Sequence, residues 1–207
     1  MLHLIPHHWN WSEGQILDIH AASNCDEAEL FLNGRSLGRT APHPGSGVLA
    51  ERYRFVWHEI PWEPGTLRAV GYRNGVPCAE ETLHTAGKAA KLHLETARAL
   101  CTADSEDMLF VTVSVLDESG VLCPKATSFV KFSLEGDPLK LLAADGGDPT
   151  SLEPFPTPQC RLFSGMSVVY LQSTGKAGEC LLRAESTGLQ GAELRLSAKI
   201  GGSETHA

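Results

Sequence analysis

Hydrophobic and polar residues alternate with a period of two through most of this 207-residue chain. From Glu27 to Leu32, Ala28, Leu30 and Leu32 alternate with Glu27, Glu29 and Phe31, the pattern of a half-buried strand. Asn33-Gly34 follows at once. A two-residue hairpin turn needs positive φ at both central positions, which this dipeptide accepts, so the chain is predicted to fold back through Leu37. The device recurs in LRAVGYRNGVPCAEE, where Asn74-Gly75 is the turn between strands at Thr66–Arg73 and Val76–Thr85. Gln15 to Ala22 reads as a strand with Leu17, Ile19 and Ala21 on its apolar face. Arg52 to Ile60 reads as another, with Tyr53, Phe55 and Trp57 on one face and Arg52, Arg54 and His58 on the other. Residues 1–14 form a lead-in segment, and APHPGSG at 41–47 must leave the sheet because of its prolines and glycines.

Ala86 to Ala90 reads as a short linker, after which the alternation resumes. Leu92, Leu94 and Thr96 oppose Lys91, His93 and Glu95. In Met108–Asp117, Leu109, Val111, Val113 and Val115 face one way and Thr112 and Ser114 the other, and Asp117 to Gly120 turns the chain. Further strands are predicted at Phe129–Leu134, Leu139–Ala143, Met166–Gln172, Cys180–Glu185 and Glu193–Lys199. Residues 145–160 hold four prolines and are excluded from the centre of a sheet. No segment of ten residues has a helical period with caps; 95–101 has room for one helical turn. The tail GGSETHA should fray. Such a density of short strands predicts an all-β protein of two consecutive Ig-like antiparallel β-sandwich domains, residues 1–87 and 88–207.

Composition narrows the partners. A formal charge of −8 does not suit a phosphate backbone, so no nucleic acid is expected. No apolar run has the ~18 residues of a membrane span, and MLHLIPHHWNW lacks the basic start and apolar core of a signal peptide. Six cysteines (Cys25, Cys78, Cys101, Cys123, Cys160 and Cys180) include no CxxC pair, which argues against zinc. An even count would allow one disulfide per sandwich. The spacing resembles no disulfide framework, so the cysteines read as free thiols, which would favour a reducing compartment.

Candidate chemistry is sparse. Retaining glycoside hydrolysis needs two carboxylates about 5–5.5 Å apart in a cleft. The acidic groups available (Asp26/Glu27/Glu29, Glu80/Glu81, Asp104/Glu106/Asp107 and Asp145/Asp148/Glu153) fall in turns or on outward strand faces, where solvated carboxylates belong. Asp145 and Asp148 in DGGDPTS would suit calcium, but no further ligand stands at a fixed spacing, and Asp and Gly suit a tight turn on steric grounds alone. His7 and His8 point to opposite faces of an extended chain and cannot readily chelate one metal. No GxSxG and no phosphate loop is present. No catalytic residue, metal or cofactor is therefore expected. The better lead is aromatic: Trp9, Trp11, Trp57 and Trp62 all lie in the first half. Trp57, in phase with Tyr53 and Phe55, is expected in the core. Trp9, Trp11 and Trp62, with Asn33 at the hairpin tip, are the candidate glycan contacts, because an indole face can stack on a sugar ring.

The segments HHWNW, AELFLNGRSLGR, WEPGTLRAVGYRNG and the TAG linker resemble the C-terminal region of glycoside hydrolase family 2 β-galactosidases. LFVTVSVLD, ADGGDPTSLEPF and RLFSGMSVVYLQS resemble the last Ig-like domain of those enzymes, so the likeness covers nearly the whole chain in order. The resemblance implies a parent enzyme with a jelly-roll domain, Ig-like domains and a (β/α)8 barrel carrying two catalytic glutamates, one preceded by Asn. This chain has no Asn-Glu dipeptide and no barrel pattern, so neither glutamate carries over. Gly146 and Ser164 stand where that pattern has Asn. The resemblance also implies a chain that starts at a domain boundary, with Pro6 to Trp11 leaving the barrel side, and ends after the last sandwich. Three readings follow: a structural accessory region packed on the parent's catalytic and N-terminal domains, a carbohydrate-binding module, or an adhesin-like pair that binds protein. The likeness to an enzyme tail favours the first.

Overall fold

The computed structural model describes residues 1–201, within which the chain divides into two units, Met1–Thr85 and the residues from Ala86 onward. All of the predicted tail beyond Gly201 lies outside the described residues.

The first unit contains β1 (Leu2–Ile5), β2 (Ile16–Ser23), β3 (Glu27–Leu32), β4 (Arg35–Thr40), α1 (Leu49–Tyr53), β5 (Phe55–Pro61), β6 (Thr66–Arg73) and β7 (Val76–His84). Its strands form two antiparallel sheets, β1-β2-β5 and β4-β3-β6-β7. Both Asn-Gly dipeptides make the expected turns: Asn33 and Gly34 have φ of 52° and 80°, Asn74 and Gly75 of 51° and 77°. The alternation then decides what is buried. Ala28, Leu30 and Leu32 of β3 join Ile19 and Ala21 of β2, Phe55 and Trp57 of β5, and Leu67 and Ala69 of β6 in one core. Trp57 is core, and its indole Nε1 donates to the Gly38 carbonyl at 2.9 Å. Gly38, at φ 109°, sits at the bulge where the β3–β4 register slips.

Two local expectations are corrected. Leu2 and Leu4 belong to a paired strand rather than a loose lead-in; four residues are too few to show a period. The strand predicted from Arg52 begins at Phe55, because α1 takes up Leu49–Tyr53 and leaves Tyr53 74% exposed. Two side-chain bonds and one backbone bond hold that short turn of helix. Ser46 Oγ donates to Glu51, Arg52 Nε donates to the Ser46 carbonyl at 2.6 Å, and the His43 N–H donates to the Glu51 carbonyl at 2.7 Å.

The second unit contains β8 (Ala89–Glu95), β9 (Leu100–Thr102), β10 (Met108–Asp117), β11 (Phe129–Glu135), β12 (Leu139–Asp145), β13 (Gln159–Arg161), β14 (Met166–Ser173), β15 (Gly178–Glu185) and β16 (Ala192–Lys199). The sheets are β12-β14-β10-β8 and β13-β11-β15-β16-β9. Leu109, Val111, Val113 and Val115 of β10 and Val169 and Leu171 of β14 share a core with Val130 and Phe132 of β11, Leu182 and Ala184 of β15, and Leu196 and Ala198 of β16. Each unit is thus a β-sandwich, its dry layer supplied by alternate residues of two facing sheets.

Residues 95–101 make no helical turn. They lead into β9, which pairs parallel with β16 at one sheet edge; Lys91 and Gln190 also bridge in parallel, and the other pairings of the named strands are antiparallel. The proline-rich segment contributes only β13, three residues at the other edge of the same sheet. That is where missing N–H donors are tolerated. Asp117 is a buried polar residue; its carboxylate accepts from the Gly87 N–H at 2.7 Å and the Val121 N–H at 2.8 Å, and these backbone donors hold its pKa below the usual carboxylate value.

Leu171 is 0% exposed in the middle of β14. Leu171→Ala should cost about 2–5 kcal/mol in urea denaturation through lost transfer energy and the cavity left behind.

Candidate functional site

The aromatic cluster of the first unit is the natural place to look for a ligand. Trp9 is not a surface platform: it is 0% exposed. Its Nε1 donates to the Glu63 carbonyl at 2.9 Å, while its own carbonyl accepts from Thr85 Oγ1 at 2.8 Å and Trp62 Nε1 at 3.3 Å. Trp9 therefore ties the segment after β1 to the β5–β6 connection and to the residue after β7, and its expected role in glycan contact is corrected to a core role.

Trp62 and Trp11 are half-buried against the same core. Trp11 lies 4.8 Å from the His8 ring, centroid to centroid, and its Nε1 is buried with no hydrogen bond. His7 packs instead on His3, at 4.8 Å, so the adjacent histidines serve different neighbours. Asn33 is exposed, but both ends of its amide are occupied. Nδ2 donates to the Pro64 carbonyl at 3.1 Å and Oδ1 accepts from the Thr66 N–H at 2.9 Å. The amide lies where a side chain on Gly65 would have to go, 2.0 Å from an ideal Cβ. Asn33 is thus a clasp between two loops. The four predicted contact residues are gathered only in part: the tryptophans meet, and Asn33 reaches the loop that follows Trp62.

The carboxylates are spent on local structure. Glu27 and Glu29 pair with Arg39 at 3.3 and 3.6 Å, and Glu80 with Arg68 at 2.6 Å. Glu81 bonds His3 and the Leu4 N–H, joining β7 to β1. Asp107 is gripped by the Arg98 guanidinium and by the Thr102 and Met108 N–H groups, which hold its carboxyl far below the ordinary value. Asp104 accepts from the Glu106 and Asp107 N–H groups. Asp145 accepts from the Gly147 N–H at 2.9 Å, and Asp148 Oδ1 from the Thr150 N–H and hydroxyl at 2.8 and 2.7 Å. These are the bonds of tight turns, the alternative to calcium that the sequence already offered. Among the described residues no group of three or more His, Cys, Asp or Glu is placed to hold a metal ion.

A concavity of about 300 Å³ lies in the second unit between the proline-rich loop and β13, lined by Asp145, Gly146, Glu153, Phe155, Arg161 and Phe163. Glu153 closes one side by accepting from the Arg161 N–H at 2.9 Å and pairing with its guanidinium at 3.3 Å. Gly146 presses on the Arg161 carbonyl, which an ideal Cβ would approach to 2.2 Å. The outward face of β12-β14-β10-β8 is apolar along one row: Phe110 is 53% exposed and meets Tyr170 edge-on at 5.7 Å, with exposed Leu142 beside them.

Comparison with known proteins decides the family. Residues 92–195 match glycoside hydrolase family 2 C-terminal domain 5, and residues 14–79 match a domain of unknown function. The chain belongs to glycoside hydrolase family 2. It is 40% identical over 200 residues to a β-galactosidase of Bacteroides ovatus, covering 96% of this chain and 22% of that protein. It is 26% identical over 203 residues to a β-glucuronidase of Formosa agariphila, covering 95% of this chain and 19% of that protein. The crystal structure of a β-glycosidase from Bacteroides vulgatus superposes with a TM-score of 0.85 at 31% identity, covering 95% of this chain and 24% of that one. The chain thus spans about a fifth of the length of these curated relatives.

One sequence-distant cluster was not singled out beforehand. His58 of β5 pairs through Nδ1 with Asp18 of β2 at 3.2 Å and through Nε2 with Glu51 of α1 at 3.1 Å. Hydrogen bonds to Asp18 and then Glu51 raise the His58 pKa above its usual 6.5. His20 on the same face is moved the other way, by burial and by Arg54. A raised folded-state pKa means that the stabilisation from protonated His58 is complete below pH 6.5 and fades as pH rises through the folded value. The His58 ring protons, followed by NMR, should titrate with a midpoint above 6.5, and Asp18→Asn should move the midpoint down.

Proposed function

We propose that this chain is a non-catalytic accessory region of a family 2 β-galactosidase, formed by two consecutive domains, residues 1–87 and 88–207, with a role in packing on the other domains of the enzyme. The observation that carries the reading is the employment of the carboxylates. Each acidic cluster that could have served hydrolysis is tied to an arginine, a histidine or turn N–H groups on an outer surface. Glycoside hydrolysis needs a raised-pKa acid facing a second carboxylate across a cleft. Asp107 and Asp148 are shifted downward, the wrong direction for a general acid. The named relatives support an enzyme acting on β-galactosides, and the glucuronidase among them leaves β-glucuronides to be tested beside them.

Packing on other domains is supported by the Phe110–Tyr170–Leu142 row. An aromatic strip on the outside of a sheet is the kind of surface that larger assemblies cover. The partners expected are the catalytic and N-terminal domains of the parent polypeptide.

The purified chain, incubated with nitrophenyl β-galactoside and nitrophenyl β-glucuronide, should release no nitrophenol above a protein-free control. Turnover that survives repurification overturns the reading. Carbohydrate binding is left to Trp11 and Trp62. Titration calorimetry with galactose, lactose and a polymeric glycan, at protein concentrations that detect millimolar affinity, should give no heat. Saturable heat lost in Trp62→Ala would make the chain a carbohydrate-binding module instead.

A further inference from the structure

Five of the six thiols are buried, and Cys78 alone is exposed. Its sulfur lies 3.0 Å from that of Cys25, a partner 53 residues earlier in the chain. That separation is about 1 Å beyond a covalent S–S bond. Several features hold the two sulfurs together. Cys25 occupies the tight connection between β2 and β3. That connection is pinned by the Asp26 N–H on the Tyr72 carbonyl at 2.8 Å, the Asn74 N–H on Asp26 at 2.9 Å, and Arg73 on the Asn24 carbonyl at 2.7 Å. Cys78 is the extra residue of a bulge in β7: Tyr72 pairs with Pro77 and Gly71 with Ala79, so Cys78 has no opposite number on β6. Gly71 lies under the pair. A Cβ there would stand 2.6 Å from the Cys25 sulfur, so the missing side chain is the space the sulfur fills.

We propose that Cys25 and Cys78 are a redox-modification site, closing to a disulfide by exchange with a small-molecule disulfide such as oxidised glutathione. Cys78, the exposed thiol, attacks one sulfur of the external disulfide, displaces one glutathione thiolate and carries a mixed disulfide. Cys25 then attacks the Cys78 sulfur and displaces the second. The protein dithiol gives up two electrons and two protons, and one oxidised glutathione becomes two reduced molecules. Burial pushes the Cys25 thiol up, but hydrogen bonds from Cys78 and then Ser23 outweigh it and bring the thiol below its ordinary value, which favours the resolving step; the same bond to Cys25, and then burial, raise Cys78, whose part as first attacker rests on its exposure. The remaining four cysteines are buried, whereas Cys78 is open to an external disulfide.

The bond would close a long loop of the first unit and join the β2–β3 connection covalently to β7. Constraining a loop of that length in the unfolded chain should raise Tm by on the order of 10 °C. The test incubates the full chain in glutathione buffers of graded potential, traps free thiols by alkylation, and maps the peptides by mass spectrometry, with Tm read in parallel. The expected result is a Cys25–Cys78 cross-link with four alkylated cysteines, a higher Tm, and reversal of both by dithiothreitol. Cys78→Ser, a change at an exposed position, should keep the Tm of the reduced chain and lose the oxidative rise. Six alkylated cysteines under oxidising buffer, a glutathione adduct that persists on Cys78, or a cross-link between two copies would each overturn the proposal.

Discussion

Two sheets can share a dry layer only if each gives one whole face to it, and that division governs everything else in both units. The strand pleat sends alternate side chains to opposite faces, so the choice of Leu30 for the inside commits Glu29 and Phe31 to the outside. The core therefore takes nearly all the aliphatic side chains of the strands, and the outer faces take the charges. Those charges then pair across neighbouring strands, Glu27 and Glu29 with Arg39, Glu80 with Arg68, Glu193 with Arg183. Exposed pairs of this kind add little to stability. Their larger consequence is that these carboxylates are already engaged, Glu27 and Glu29 by one arginine and Glu80 by another.

The legible part of the fold was the part written in local chemistry. Asn33-Gly34 and Asn74-Gly75 announce hairpins because few other dipeptides accept positive φ twice, and Met108–Asp117 announces a central strand by Leu109, Val111, Val113 and Val115 at every second position. What escaped was set by distant partners. β1 is too short to show a period, and its pairing with β2 is read only from space. β9 owes its existence to β16, almost a hundred residues on, and its parallel sense could not be inferred from Leu100–Thr102 alone. α1 is held by Ser46, His43 and His58 rather than by any helical period. For the site, the alternation of Phe55 and Trp57 placed Trp57 correctly, whereas Trp9 lies in a segment with no alternation to read, and nothing local revealed that its carbonyl would collect Trp62 and Thr85.

Gly146 and Ser164, at the two positions where the resemblance led to an expectation of Asn, have different physical meanings. Ser164 keeps the backbone that an Asn would suit: its φ is 51°, a left-handed conformation that costs a Ser roughly 1 kcal/mol, and Gly165 follows at 75°. Gly165 fixes the turn from the other side, since a Cβ there would come within 2.2 Å of the Cys123 carbonyl. Gly146 is a different case. The backbone lies so close to the Arg161 carbonyl that any residue with a Cβ would have to lift the loop from β13. Ser164 keeps the turn geometry, and Gly146 uses the absence of a side chain to close packing.

These features bear on why an enzyme family would carry such a region. A sandwich turns both of its outer faces to its surroundings, and most of the strands here meet solvent with charged or short polar groups. The sheet β12-β14-β10-β8 breaks that rule where Phe110, Tyr170 and Leu142 line up across three strands. Such a row adds nothing to the core, since Val111, Val169 and Leu171 on the opposite face already fill it. Its cost in water is offset only when another surface covers it, through apolar area buried at about 25 cal/mol per Å². The aromatic row and the occupied carboxylates thus support the same proposal for the second unit, a role in contact with another surface rather than in bond breaking.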